Sequence, residues 1–256
     1  MTPTPMPHTL DRSLTIRAPR DIVFRYFTDS ARWAAWWGAG STIDATPGGR
    51  VYIRHPNGIE AGGDVVEVDP PSRIVFTYGF AGGRPIPLGA SRVTVTCDDV
   101  AEGTALRLVH EFADAGARDE HVQGWRYQFS VFANIVANKI HANAADLVDT
   151  WHQLWAEPDQ DRRAAILERT ATPSIRFADR YSAVVGADEL LPHIAATQRF
   201  MLGLTTRREG AVRHCQGTVL ADWIASSADG QERGRGTNVY TLNASGRIEA
   251  VVGVWW

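Results

Sequence analysis

At 256 residues, with 44% hydrophobic and 21% charged side chains, the sequence is that of a folded globular protein, and it exceeds the roughly 100 to 200 residues usual for one domain. A formal net charge of −3 with both signs interspersed gives no basic field for a phosphate backbone or an anionic lipid surface, so neither nucleic acid nor a membrane is an expected partner. The opening MTPTPMPHTLDRS lacks a signal core and an organelle address, and no stretch approaches the ~20 apolar residues of a membrane span, so a cytoplasmic location and a frayed start are expected. Cys97 and Cys215, one in each half, form no disulfide framework and are expected as free core thiols.

Leu14 and Ile16 alternate with polar residues as in a strand, and Pro19 suits the start of a short helix from Arg20, with Val23, Phe24 and Phe27 on its apolar side. Next comes RWAAWWGAG, whose Trp33, Trp36 and Trp37 are the densest aromatic cluster in the chain. From Gly49 the segments RVYIRH, DVVEVD, RIVFTYGF, RVTVTC and TALRLVHEF, separated by turn residues, predict an antiparallel meander. In the last of them Leu106, Leu108, His110 and Phe112 share a face. The period then becomes helical: Val122, Trp125, Phe129, Phe132, Val136 and Ile140 fall on one stripe of a long helix. A sheet wrapped on that helix would leave a cavity lined by the stripe, and a hinge is expected near Ala142.

The second half restarts with a helical pattern of Leu147, Trp151, Leu154 and Trp155 that Pro158 halts. A second helix in DRRAAILERT, a strand in SIRFAD and a third helix in GADELLPHIAATQRFM follow, with Pro192 kinking the third or marking its first turn. Four strands close the chain, TRREGAVRHC, GTVLADWIAS, GRGTNVYTL and RIEAVVGVWW. The last is apolar on both faces, which predicts a covered outer face and a homodimer or a large interdomain contact through this sheet. Helices followed by an antiparallel sheet give the α+β class, with domains at 1–141 and 142–256.

The segments APRDIVFRYFTDSARWAAWWG, the PGG turn and HVQGWRYQF resemble the activator-of-heat-shock-ATPase-like branch of the START/SRPBCC birch-allergen helix-grip superfamily, over about residues 10 to 141. That resemblance implies an antiparallel sheet around a long C-terminal helix, in a superfamily of lipid carriers and polyketide cyclases. Residues 143 to 256 resemble the cone-shaped α+β barrels of the nuclear-transport-factor superfamily, which includes SnoaL-like polyketide cyclases and ketosteroid isomerases. The resemblance places a general base at Asp179, just before Gly186 and the third helix. It also implies that Trp151 stands where those isomerases have an oxyanion-donating tyrosine, and Asn238 where they have a protonated acid. An indole N–H and an amide can both still donate.

Candidate residues follow. In the first domain Trp33, Trp37, Tyr78, His110, Trp125 and Phe129 are expected around a ligand, with His55 as a further histidine able to face the cavity, while His121 reads as a cap or fold element. The aromatic cluster equally suits a role in locking the short helix to the sheet, and His110 one as a hydrogen-bonded core residue. In the second domain Asp179, Asn238, Trp151, His193 and Tyr240 are the catalytic candidates, with Tyr181, His214 and Asp222 as ligand contacts. Asp179 has an alternative role, bracketing the RYSAVVG turn through backbone N–H groups. No HxH, HExxH or CxxC spacing and no phosphate loop occurs, so no metal and no cofactor are expected. Three functions fit: a cofactor-independent cyclase or isomerase of a hydrophobic or aromatic substrate, a non-catalytic hydrophobic-ligand carrier, and a chaperone-interaction module.

Overall fold

A computed structural model describes residues 5–256. The chain divides into two compact units with the boundary between Val136 and Ala137. The expected frayed start falls in part on residues 1–4, outside the described residues, and from His8 the chain is already a strand.

In the first unit, strand β1 (His8–Ile16) leads to helices α1 (Arg20–Arg25) and α2 (Ser30–Trp37), where the sequence predicts one helix running into the tryptophan cluster. The break has a local cause: the Asp29 carboxylate accepts the Arg32 N–H at 2.9 Å, capping a new helix. Strands β2 (Thr42–Ile43), β3 (Arg50–Arg54), β4 (Glu60–Asp69), β5 (Arg73–Tyr78), β6 (Ser91–Val100) and β7 (Gly103–Phe112) form an antiparallel sheet in the order β1-β7-β6-β5-β4-β3-β2. Leu106, Leu108, His110 and Phe112 are fully buried on one face of β7, as their alternation predicts. Helix α3 (Ala115–Ile140) closes the unit. Its Phe132 ring packs on Tyr26, Phe27 and Trp36 at centroid distances of 5.7, 5.1 and 5.0 Å, which sets this turn of the helix against the α1–α2 segment, while Trp125 on the same stripe reaches β7 at His110.

The second unit opens with α4 (Ala144–Ala156) and α5 (Gln160–Thr170). After β8 (Ala171–Ala178) come a short strand β9 (Ala183–Val185), α6 (Ala187–Phe200) and strands β10 (Thr205–Cys215), β11 (Thr218–Ser226), β12 (Glu232–Leu242) and β13 (Ile248–Trp255). The sheet order is β10-β11-β12-β13-β8-β9, and all pairs are antiparallel except β13 with β8. Both sheets are open. The α+β class holds, although one parallel pair and the strand β9 depart from the purely antiparallel sheet expected. Pro192 lies inside α6, in its second turn.

Leu147, Val148, Trp151 and Leu154 of α4 pack on Ile175, Phe177, Val219, Tyr240 and Val251 of the sheet as one core. A bidentate pair, Arg208 to Asp149 at 2.8 Å for each bond, ties β10 to α4. Buried Arg163 holds α5 to the end of α4 and to α6 through the Glu157 and Pro158 carbonyls and the Gln198 amide oxygen. Cys97 is a buried thiol whose pKa burial pushes up to about 12; Cys215, expected in the core, is exposed at the end of β10.

Candidate functional site

Each unit holds a cavity. That of the second, about 150 Å³, is walled by Trp151, His152 and Trp155 of α4, Phe177, the Asp179–Ser182 turn, His193 and Thr197 of α6, and Trp223, Asn238, Gly253 and Trp255 of the sheet. Apolar rings make up most of this wall, and the few polar groups converge on it, the usual character of a small-molecule site.

Asp179 stands just past β8. Its Oδ1 accepts the N–H groups of Tyr181 at 2.8 Å and Ser182 at 2.9 Å, which makes the turn into β9. Ser182 Oγ lies 3.2 Å from the same oxygen and 3.1 Å from His193 Nε2, so a carboxylate, a hydroxyl and an imidazole form one hydrogen-bonded chain along the wall. Asp179 Oδ2 has no hydrogen-bond partner among the described residues. Asn238 donates from Nδ2 to Tyr240 Oη at 3.0 Å and keeps a second N–H. Gly253 lies between Asp179 and Asn238: a Cβ there would stand 3.3 Å from Asp179 Cβ and 3.2 Å from Asn238 Oδ1. The missing side chain therefore opens the floor between the two candidate residues.

His152 and Trp223 are the polar groups that sequence reasoning missed. His152 Nδ1 is 2.9 Å from Thr206 Oγ1, whereas its Nε2 is buried without a partner. Trp223 Nε1 is likewise a buried, unpartnered donor in the wall. Burial lowers the His152 pKa to about 4, Asp149 opposing the shift and Arg208 adding to it. A histidine in the unfolded chain titrates near 6.5, so between these values the unfolded state holds a proton that the folded state lacks, and stability rises with pH. Acidification from pH 7 to 4 is expected to cost the second unit on the order of 3 kcal/mol through this group. Thermal midpoints measured across that range should fall less steeply in His152→Gln; identical slopes would contradict the assignment.

Of the other second-unit candidates, Trp151 and His193 line the cavity, and Tyr181 stands exposed at its edge against Trp255. Tyr240 is fully buried beneath Asn238 and outside the lining, and burial pushes its pKa up. His214 sits apart, bonded to His141 and Asn138. Asp222 pairs with Arg213 and accepts from Thr237. Neither His214 nor Asp222 is among the lining residues.

The cavity of the first unit is larger, about 690 Å³, and includes Trp36, Trp37, His55, Tyr78, Phe80, His121, Trp125 and Gln128 in its wall. Trp125 borders this cavity and at the same time reaches the sheet through its bond to His110. The tryptophan cluster divides: Trp33 Nε1 donates to the Tyr52 carbonyl and Trp36 Nε1 to that of Tyr26, while Trp37 turns its ring to the cavity. Trp33 and Phe129 are core residues outside the lining. His110 is a satisfied core histidine. Ser91 Oγ donates to the Tyr78 carbonyl, so it accepts from His110 Nε2, and His110 Nδ1 accepts from Trp125 Nε1 at 3.0 Å. Burial, with His121 nearby, holds its pKa well below the ordinary value.

Among the described residues no three His, Cys, Asp or Glu side chains gather as a metal site, and no helix is long and apolar enough to cross a membrane.

Residues 17–137, a little under half of the chain, match the family model described as "Activator of Hsp90 ATPase homolog 1-like protein", and the resemblance of the first half is borne out by this match. Among solved structures the chain is similar to a SnoaL-like family protein from Agrobacterium tumefaciens (24% identity, 46% of this chain and 98% of that one, TM-score 0.43). It is also similar to protein Ms6760 from Mycobacterium smegmatis (25%, 50% and 87%, TM-score 0.43) and CalU16 from Micromonospora echinospora (23%, 49% and 74%, TM-score 0.39). No curated protein matches the chain.

Proposed function

We propose that the second unit is a cofactor-independent enzyme of cyclase or isomerase type that moves a proton on a small hydrophobic substrate bearing a carbonyl. The observation that carries this is the Asp179–Ser182–His193 chain on the wall of an otherwise aromatic cavity. Asp179 Oδ2 takes the proton from the carbon next to the carbonyl, and Oδ1 stays anchored by the turn. Charge then develops on the carbonyl oxygen, where the second N–H of Asn238 is the available donor. The protonated Asp179 returns the proton to another carbon of the enolate, and no redox step is involved. The substrate needs to be small enough for the cavity and flat enough for its rings.

A second function, ligand binding without chemistry, is favoured by the two backbone amides on Oδ1, the arrangement of a structural turn. Deuterium incorporation next to the carbonyl of 2-tetralone, followed by NMR with the full chain, separates the two. Catalysed exchange supports the enzyme; binding with exchange at the background rate supports the carrier.

We also infer that two copies associate through the outer face of the second sheet. Val252 pairs with Val239, which pairs with Leu220, giving an apolar row across three strands. Val252 and Val254 are about half exposed, at 48% and 51%. Sedimentation should report a dimer, and Val252→Lys should yield a folded monomer. A monomeric parent protein would refute this interface.

A further inference from the structure

The turn that anchors Asp179 also presents a cation at the edge of the second unit's cavity. Because Asp179 Oδ1 holds the amides of Tyr181 and Ser182, the backbone of Arg180 is fixed at the corner between the candidate base and the cavity edge. Its guanidinium lies over the Tyr181 ring, 4.9 Å from the centroid, and 6.0 Å from the centroid of Trp255. Those two rings meet edge to face at 5.4 Å, and both border the cavity. Aromatic rings hold a guanidinium by its face and leave the N–H groups along its rim free to donate.

The chain itself does not use that rim. Arg180 is exposed, and its guanidinium forms no hydrogen bond or ion pair among the described residues. Arg208, Arg213, Arg233 and Arg235 of the same sheet, by contrast, each hold a carboxylate. The cavity wall includes no Lys and no Arg. A carboxylate drawn inside would lose its water with no cation to replace it, and would face the carboxylate of Asp179. At the Tyr181–Trp255 edge an anion keeps its water and meets a positioned guanidinium, whose paired N–H groups match two carboxylate oxygens.

We propose that the substrate of the second unit carries a carboxylate, which stays outside the apolar cavity and pairs with Arg180 while the hydrophobic body enters past Tyr181 and Trp255. This names the substrate class of the site described under the proposed function and rests on that reading, but it is tested by binding alone, with no reaction needed.

Titration calorimetry of the full chain with 2-naphthoate and 2-naphthamide provides the test, because the two probes share one shape and differ in charge. The intact protein should prefer 2-naphthoate by about fivefold at low ionic strength, the scale of one exposed charge-assisted pair. In about 0.5 M salt the preference should shrink to within about twofold. Arg180→Gln should abolish it while leaving the affinity for 2-naphthamide within about twofold of the parent, and Arg180→Glu should reverse it. In a crystal structure with 2-naphthoate the carboxylate should lie within hydrogen-bond reach of the Arg180 guanidinium. Equal affinities or a preference for the amide in the intact protein would overturn the proposal. So would a preference for the acid that survives Arg180→Gln, a carboxylate seated away from Arg180, or no binding of 2-naphthoate. Exchange of 2-tetralone reads the other claim: catalysed exchange without an acid preference overturns the carboxylate anchor alone, and an acid preference without exchange supports the anchor while overturning the enzyme.

Discussion

Asp179→Asn is expected to lower the rate of 2-tetralone deuterium exchange by a factor of roughly 100 or more, the usual effect of losing a positioned base. Affinity should change little, because Asn keeps the size of the side chain. The fold should persist as well: the Asn side-chain oxygen can still accept the Tyr181 and Ser182 amides that Oδ1 accepts now. The substitution therefore separates two roles that meet in one carboxylate. A large loss of rate with an unchanged thermal midpoint identifies Oδ2 as the base. An unchanged exchange rate would place the chemistry elsewhere, and a lowered midpoint alone would leave Asp179 as a turn residue.

The largest stability effect is expected at Trp33. Its ring is fully buried and meets Phe27, Trp36, Trp37 and Phe76 at centroid distances of 6.4, 5.2, 5.6 and 5.9 Å, and its indole donates to Tyr52. Trp33→Ala removes all of these contacts and leaves a void between α2 and the sheet, which costs about 3–5 kcal/mol. Trp37→Phe keeps an apolar ring and loses no hydrogen bond, so it should cost less than about 1.5 kcal/mol. Chemical denaturation of the first unit measures both. Equal losses would mean that the cluster is not divided into a core ring and a cavity ring.

That division was not legible in the sequence, because Trp33, Trp36 and Trp37 share one short helix and differ only in where their indole N–H groups end. What periodicity reveals is the face an atom's residue occupies. It identified the buried face of β7 and the stripe of α3 correctly, since alternation and three-to-four spacing follow from backbone geometry alone. It did not identify the partner of each polar atom. His110 and His121 both lie among apolar residues, yet one is satisfied by Ser91 and Trp125 and the other has its Nε2 buried without a partner. The signal for His121 was present: it is four residues before Trp125, on the same helical stripe. His152 carried a similar one, four residues after Val148 on the buried face of α4, masked by the larger Trp151 beside it. The resemblance to cone-shaped isomerases pointed to Asp179 without its connection to Ser182. That connection depends on a turn and on the three-residue strand β9, too short to leave a pattern. Tyr240, Asp222 and His214 were chosen as polar residues on the right strands, and their pairings within the chain take them out of the cavity wall.

The position of a carbonyl ligand in the second cavity tests the central claim most directly. In a crystal structure of the full chain with 2-tetralone bound, proton transfer requires the carbon next to the carbonyl to lie about 3–3.5 Å from Asp179 Oδ2, with the carbonyl oxygen within hydrogen-bond reach of Asn238. A ligand seated with that carbon beyond reach of Oδ2, or an Oδ2 turned away from the cavity, would contradict it.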